Sequence, residues 1–218
     1  VFIGHNLGSR TFLFSAPIFE FFKMSDVANQ RGDDNNPVAQ RKLDMKHAKK
    51  LAIYTLKGLV SAAVERRKME KKPIPDKFTE ILDQLGRQPY LSIQPIVVNI
   101  RSCEKNGQNI AGGRLYTKEN ETAGFKIFLS QKDILWVVDG QHRRKAMHMV
   151  FEFLDGIRTN QKYPGKKTSL YQYPGGSEIS AEESLVWEEA YQTAKAFCTI
   201  AVEVHLGLNI DEERQLFH

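Results

Sequence analysis

Apolar residues recur along this chain with two periods, and each change of period marks where a helix gives way to a strand. From about Asp44 the positions Ala48, Leu51, Ala52, Leu56, Leu59, Val60 and Ala63 repeat at three and four residues, which predicts a helix reaching about Arg67. Pro73 and Pro75 close it, and Asp76 is placed to cap a second helix through Leu85 that stops near Gly86. Gln141 to about Arg158 has the same period in Ala146, Met149, Val150, Phe153, Leu154 and Ile157, and further helices are expected over Ala181 to Phe197 and from Asp211 onward. Arg10 to Pro17 reads as a strand, followed by a short amphipathic stretch from Ile18 to about Val27. Ile93 to Ile100 reads as another, with Pro95 suggesting an edge position or a late joining of the ladder. Phe125 to Leu129 and Cys198 to Leu206 follow the same pattern, and Ile134 to Val138 lacks alternation, as a strand buried on both faces does.

Between these elements lie stretches with turn chemistry: a loop over Asn29 to Pro37, a Gly- and Asn-rich hairpin-like region from Asn106 to Gly124, and a surface excursion from Tyr163 to Ser180. The order of elements predicts an α/β fold, a small mixed sheet built from strands near 93–100, 125–129, 134–138 and 198–206 and wrapped by helices, with an N-terminal helical part. One domain is expected over 1–218, in which 38–90 is a basic helical subregion.

Charge sharpens this picture. The chain has 31 Lys and Arg against 26 Asp and Glu, a net +5 that permits nucleic-acid binding without demanding it. The excess is local, because 12 of the cations and only four acids fall between Arg41 and Lys77. Two cysteines, Cys103 and Cys198, make no disulfide framework, and neither they nor the histidines have metal-ligand spacing, so no metal site is expected. No apolar run approaches the roughly 20 residues of a membrane span and no signal-peptide pattern opens the chain, so a soluble protein is expected, and the cysteine usage fits a reducing cytoplasm. With Val at residue 1 and His218 inside a predicted helix, the sequence reads as a piece of something longer.

The run Asp139-Gly140-Gln141-His142-Arg143-Arg144 is the richest in chemistry, since it joins a predicted buried strand to a predicted helix. A helix N-terminus offers unpaired N–H groups and the positive end of the dipole, and Gly140 lets a ligand approach the backbone. Cations at that end are unfavourable unless something negative offsets them. An anionic ligand would do so, with Gly140, Gln141, His142, Arg143 and Arg144 as phosphate-binding candidates, a bidentate contact from Arg143 and a hydrogen bond or proton from His142. Asp139 is open to three roles: helix cap, metal-side carboxylate or general base. The bland alternative is that Asp139 caps the helix and the cations are solvated.

The pentapeptide Asp139–Arg143 resembles the signature of the DGQHR-domain proteins, of which the DndB-like family is associated with DNA phosphorothioation. Ala39-Gln-Arg-Lys-Leu43 with His47-Ala48 and Ile53-Tyr54 is similar to the Gln-Arg motif and following helix of that family, and Glu213 to His218 to its last helix. More distantly, Gly140, His142 and Arg143 resemble the phosphate-binding turn of ParB and sulfiredoxin domains, which implies a ParB/sulfiredoxin-like core. Gln141 stands where sulfiredoxin has its catalytic Cys, and the Asn-Pro-Arg motif of ParB is missing, so neither peroxiredoxin repair nor CTP switching is implied.

Gln40 and Arg41 are candidate contacts to a phosphate or base edge, and Lys46, Lys49, Lys50, Lys57 and Arg66-Arg67-Lys68 form a candidate DNA-backbone face, against the ordinary alternative of a solvated helix. Tyr163, Tyr171 and Tyr173 beside Lys162, Lys166 and Lys167 mix aromatics and cations as single-strand binders do, or form a plain loop. Two functions follow from the resemblance. One is a DNA-binding regulator or accessory protein of a DNA-modification system, with DNA and other modification proteins as partners. The other is a hydrolase of ATP or another nucleotide, with Asp139 as catalytic base or metal ligand and Mg as a cofactor in that case alone.

Overall fold

The computed structural model describes residues 1–27, 43–172 and 177–216. The chain opens with a hairpin of β1 (Phe2–Asn6) and β2 (Ser9–Pro17), then α1 (Ile18–Met24) and the two-residue strand β3 (Ser25–Asp26). Two helices follow, α2 (Met45–Met69) and α3 (Asp76–Leu85), and then β4 (Ile96–Ile100), β5 (Gly112–Tyr116), β6 (Thr122–Ile127) and β7 (Leu135–Asp139). Helices α4 (Gln141–Asn160) and α5 (Ala181–Ala196), β8 (Thr199–Leu206) and α6 (Ile210–Gln215) complete the order. No helix among the described residues is long and apolar enough to cross a membrane.

The main sheet has the order β1-β2-β8-β4-β7-β3 and is mixed: β8 runs parallel to β4 and β3 to β7, while the other pairs are antiparallel. Strand alternation sorts its two faces. Phe12, Ala16, Ile96, Val98, Ile100, Leu135, Val137, Ile200, Val202 and Val204 point into one core shared with the helices, while Leu13 and Ala201 are exposed on the far face. On that far face α6 is pinned by buried Glu213, which accepts from Asn99 Nδ2 at 2.7 Å and from Arg101 Nε and Nη2 at 2.8 and 2.6 Å. A buried carboxylate survives there because each oxygen has a donor.

Helix boundaries follow local chemistry. The Asp44 carboxylate caps α2 by accepting from the N–H groups of Lys46 and His47, and a Ser180/Glu183 capping box starts α5. The cap of α3 is Pro75, with Asp76 inside the first turn. The α/β class and the long helices match the sequence patterns, whereas four details differ. The 122–127 strand pairs with β5 in a separate two-stranded sheet, joined to β1 where Phe125 and Val1 exchange backbone hydrogen bonds of 2.8 and 2.7 Å. Of the two readings of Pro95 the edge position is overturned and the late joining of the ladder holds, since it directly precedes a central strand that begins at Ile96. The N-terminal part is not only helical, since β1 and β2 belong to the main sheet.

The fourth difference is the stretch after α4. Tyr163, Leu170 and Tyr171 are buried, because they seal the base of α5 around Trp187. The Trp187 indole N–H donates to Tyr163 Oη at 3.1 Å, and the rings of Tyr171 and Phe153 lie 5.3 and 5.4 Å from it, edge-on. This cluster holds the segment after α4 onto the core. Replacing Trp187 by Ala is expected to cost about 3–5 kcal/mol, the range for deleting a large buried aromatic, as read from urea denaturation. A loss under about 1 kcal/mol would show that the cluster does not anchor the segment.

Candidate nucleic-acid interface

Strand β7 ends at Asp139 opposite Val97, and the chain turns into α4 through a single residue, Gly140. Gly140 has φ of 104°, in the left-handed region that side chains disfavour. It is buried, and a Cβ there would lie 2.9 Å from Ile96 Cγ1 and 3.1 Å from Arg143 Nε. The reason for that crowding is Arg143 itself, which folds back across Gly140. Its Nη2 donates to Asp139 Oδ2 at 2.6 Å and its Nη1 to the Pro95 carbonyl at 2.5 Å.

Arg144 points the other way and is buried, donating through Nε to Ser25 Oγ at 2.9 Å and through Nη2 to the Ser25 carbonyl, with Asp26 at 3.7 Å and the Phe22 ring beneath it at 5.1 Å. The electrostatic conflict of cations at a helix N-terminus is therefore offset from within the chain. Asp139 and the Pro95 carbonyl hold Arg143, and Ser25 with Asp26 holds Arg144. Gln141 is partly exposed in the first turn.

His142 reaches sideways to α2. Its Nε2 accepts the Asp44 backbone N–H at 2.9 Å, which requires a neutral ring with the proton on Nδ1. The His47 ring stands edge-on to it with centroids 5.1 Å apart. Burial, and then His47, push the His142 imidazole below its ordinary value, while Asp44 pulls the other way. The N-termini of a 25-residue and a 20-residue helix are thereby fastened side by side, with both positive dipole ends on one end of the molecule.

Lys46, Lys49 and Lys50 sit on the first turns of α2 at three- and four-residue spacing, away from the buried Ala48 and Ala52. Lys49 Nζ donates to the Lys167 carbonyl at 3.3 Å, which draws the exposed Lys166 and Lys167 to the same end. The rest of the basic run does not share this face. Lys57 and Arg67 are buried, Arg67 being held by Glu189 and by the Pro73 carbonyl at 2.7 Å, while Lys68 pairs with Glu65 and Arg66 lies 3.7 Å from Glu70. Tyr163 and Tyr171 are likewise unavailable to stack on bases, since both pack on Trp187. Gln40, Arg41 and Tyr173, and the loop expected over 29–37, lie outside the described residues.

Sequence reasoning missed Lys166 and Lys167 as members of this cluster and missed Asp44 and Pro95 as the groups that the turn grips. The pairing of His142 with Asp44, 98 residues away in the chain, left no local signal.

The model of the DndB family, described as DNA-sulfur modification-associated, matches residues 1–218, the whole chain. No curated protein and no solved structure matches it.

Two outcomes follow from this geometry. Gly140→Ala is expected to lower stability by about 1–2 kcal/mol for the left-handed backbone alone, with a further loss from the Ile96 clash, as read from urea midpoints. A neutral result would mean that Arg143 and Ile96 relax freely. The second outcome concerns pH: burial pushes His142, His148 and His205 all below the ordinary 6.5. Below that value the unfolded chain binds more protons than the folded one, so stability is full above about pH 6.5 and falls as pH drops through the folded values. Urea midpoints at about pH 7.5 and 5.5 check this, and equal midpoints would refute it.

Proposed function

The chain belongs to the DndB family, and from that premise we propose that it is a DNA-binding accessory or regulatory protein of the DNA sulfur-modification system, gripping the phosphate backbone with Lys46, Lys49, Lys50, Lys166 and Lys167. The observation that carries this reading is the Lys49 Nζ contact to the Lys167 carbonyl, which joins two basic segments 118 residues apart on the end where two helix N-termini meet. Ammonium groups are point charges that neutralise phosphates without reading bases, so the grip is sequence-independent and salt-sensitive. Positive dipole ends beneath them add to the same field.

In this reading the Asp139–Arg143 turn builds the interface instead of forming it. Arg143 and His142 hold β7, β4, α4 and α2 in register, and the lysines meet the DNA. A nucleotide hydrolase would need Arg143 to leave both Asp139 and Pro95 before Asp139 served a metal or a water and Arg143 a phosphate. Binding without turnover asks for no such rearrangement, and for that reason it is preferred.

The test is duplex DNA affinity by fluorescence anisotropy across a salt series. Lys46→Ala/Lys49→Ala/Lys50→Ala is expected to weaken binding uniformly across sequences and to make the slope of log K against log salt shallower by about 2–3 units, near one per lost phosphate contact. Lys166→Ala/Lys167→Ala shifts it in the same direction. Unchanged affinity and slope in both variants would remove this reading, and ATP-dependent phosphate release lost in Asp139→Ala would replace it with the hydrolase.

A further inference from the structure

We propose that His142 is a proton-operated latch on the N-terminus of α2, opening the cap of that helix when its ring takes up a proton. The latch is one hydrogen bond. Asp44 N–H donates to His142 Nε2 at 2.9 Å, and the residue that supplies this N–H is also the residue whose carboxylate caps α2 through the N–H groups of Lys46 at 2.8 Å and His47 at 3.2 Å. Asp44 is thus bound twice, by its backbone to α4 and by its side chain to its own helix.

Protonation puts a hydrogen on Nε2, so that two donors face one another and the inter-helix bond is lost. Among the described residues the anion acting on the imidazolium is the Asp44 carboxylate, and drawing on it competes with the two N–H groups of α2. One proton therefore breaks the contact between the helices and weakens the cap. Among the described residues, the charged and titratable groups facing the ring are Asp44 and His47, both from α2; Asp44 favours the charged ring and His47 opposes it. On the ring's own turn Asp139 and Arg143 are paired with each other, and Arg144 and Lys145 lie beyond, Arg144 held at Ser25 and Lys145 Nζ 3.2 Å from His148 Nδ1. The positive ends of both helices oppose a second charge between them.

The first two turns of α2 carry Lys46, Lys49 and Lys50, so the state of the latch governs how firmly these lysines are held. That regulatory consequence rests on the DNA-binding reading, whereas the latch itself does not. Its test needs no DNA, so failure of the lysine cluster to bind DNA and failure of the latch are separate results.

Backbone amide exchange of Asp44, Lys46 and His47, followed by NMR alongside the His142 ring resonances from about pH 7.5 to 5.5, reads the latch. In the unmodified protein protection of these amides, corrected for intrinsic exchange, falls as the His142 ring titrates, by up to about tenfold per pH unit for an opening coupled to one proton. His142→Gln keeps an acceptor that does not titrate and is expected to abolish the pH dependence, while His47→Gln retains it. Protection that stays constant while the His142 ring titrates overturns the proposal even if no variant folds. The same pH dependence in His142→Gln also overturns it.

Discussion

Arg143 lies back across Gly140 and ends on two oxygens, Asp139 Oδ2 and the Pro95 carbonyl, and the arrangement of this whole end of the molecule depends on that fastening. Asp139 closes β7, Pro95 precedes β4, and Arg143 begins α4, so one guanidinium ties two central strands to the helix packed on them. Pro95 has a carbonyl and no N–H, and its oxygen sits just before the ladder begins, where a forked donor can collect it. The left-handed Gly140 is the geometric condition for this, since any Cβ would stand between the guanidinium and the sheet. A run that would ordinarily destabilise a helix start becomes tolerable because its two arginines are paired with groups of the same chain.

That internal compensation explains what was legible in the sequence and what was not. The periods of α2 and α4 and the unbroken apolar run of β7 are local properties, and the helices and strand appear where those patterns place them. The crowding of cations after Asp139 was equally visible as a conflict. Its resolution was not, because Pro95, Ser25 and Asp44 lie between 48 and 119 residues away along the chain. Sequence reasoning identified a charge needing an opposite charge, and an internal carboxylate meets that need as well as a ligand does.

The basic run of α2 shows the same limit from the other side. Twelve cations between Arg41 and Lys77 suggest one continuous positive face, yet Lys57 and Arg67 project to the buried side and Arg67 ends on Glu189 of α5. An amphipathic helix buries whatever falls on its inner stripe, and long aliphatic stems let a lysine or arginine do so if the head finds partners. Lys166 and Lys167 fall in what the sequence presents as a surface excursion, and the anchoring of Tyr163 and Tyr171 at Trp187, with Tyr171 also bonded to Gln84, holds that segment down close to α2.

The lysines at this end come from two separate stretches of chain, Lys46, Lys49 and Lys50 from the first turns of α2 and Lys166 and Lys167 from the segment after α4. A free nucleotide asks for enclosure: a pocket that removes its base from water and rigid donors converging on its phosphates. A polymer backbone asks for less at each point and repeats its charge along its length, so several loosely held ammonium groups act on it together through counterion release. The two guanidinium groups of the turn, Arg143 and Arg144, are paired with Asp139 and Ser25. On the DNA-binding reading proposed above the phosphates meet the lysine set, and point charges spread over two segments suit an extended polyanion better than a small one.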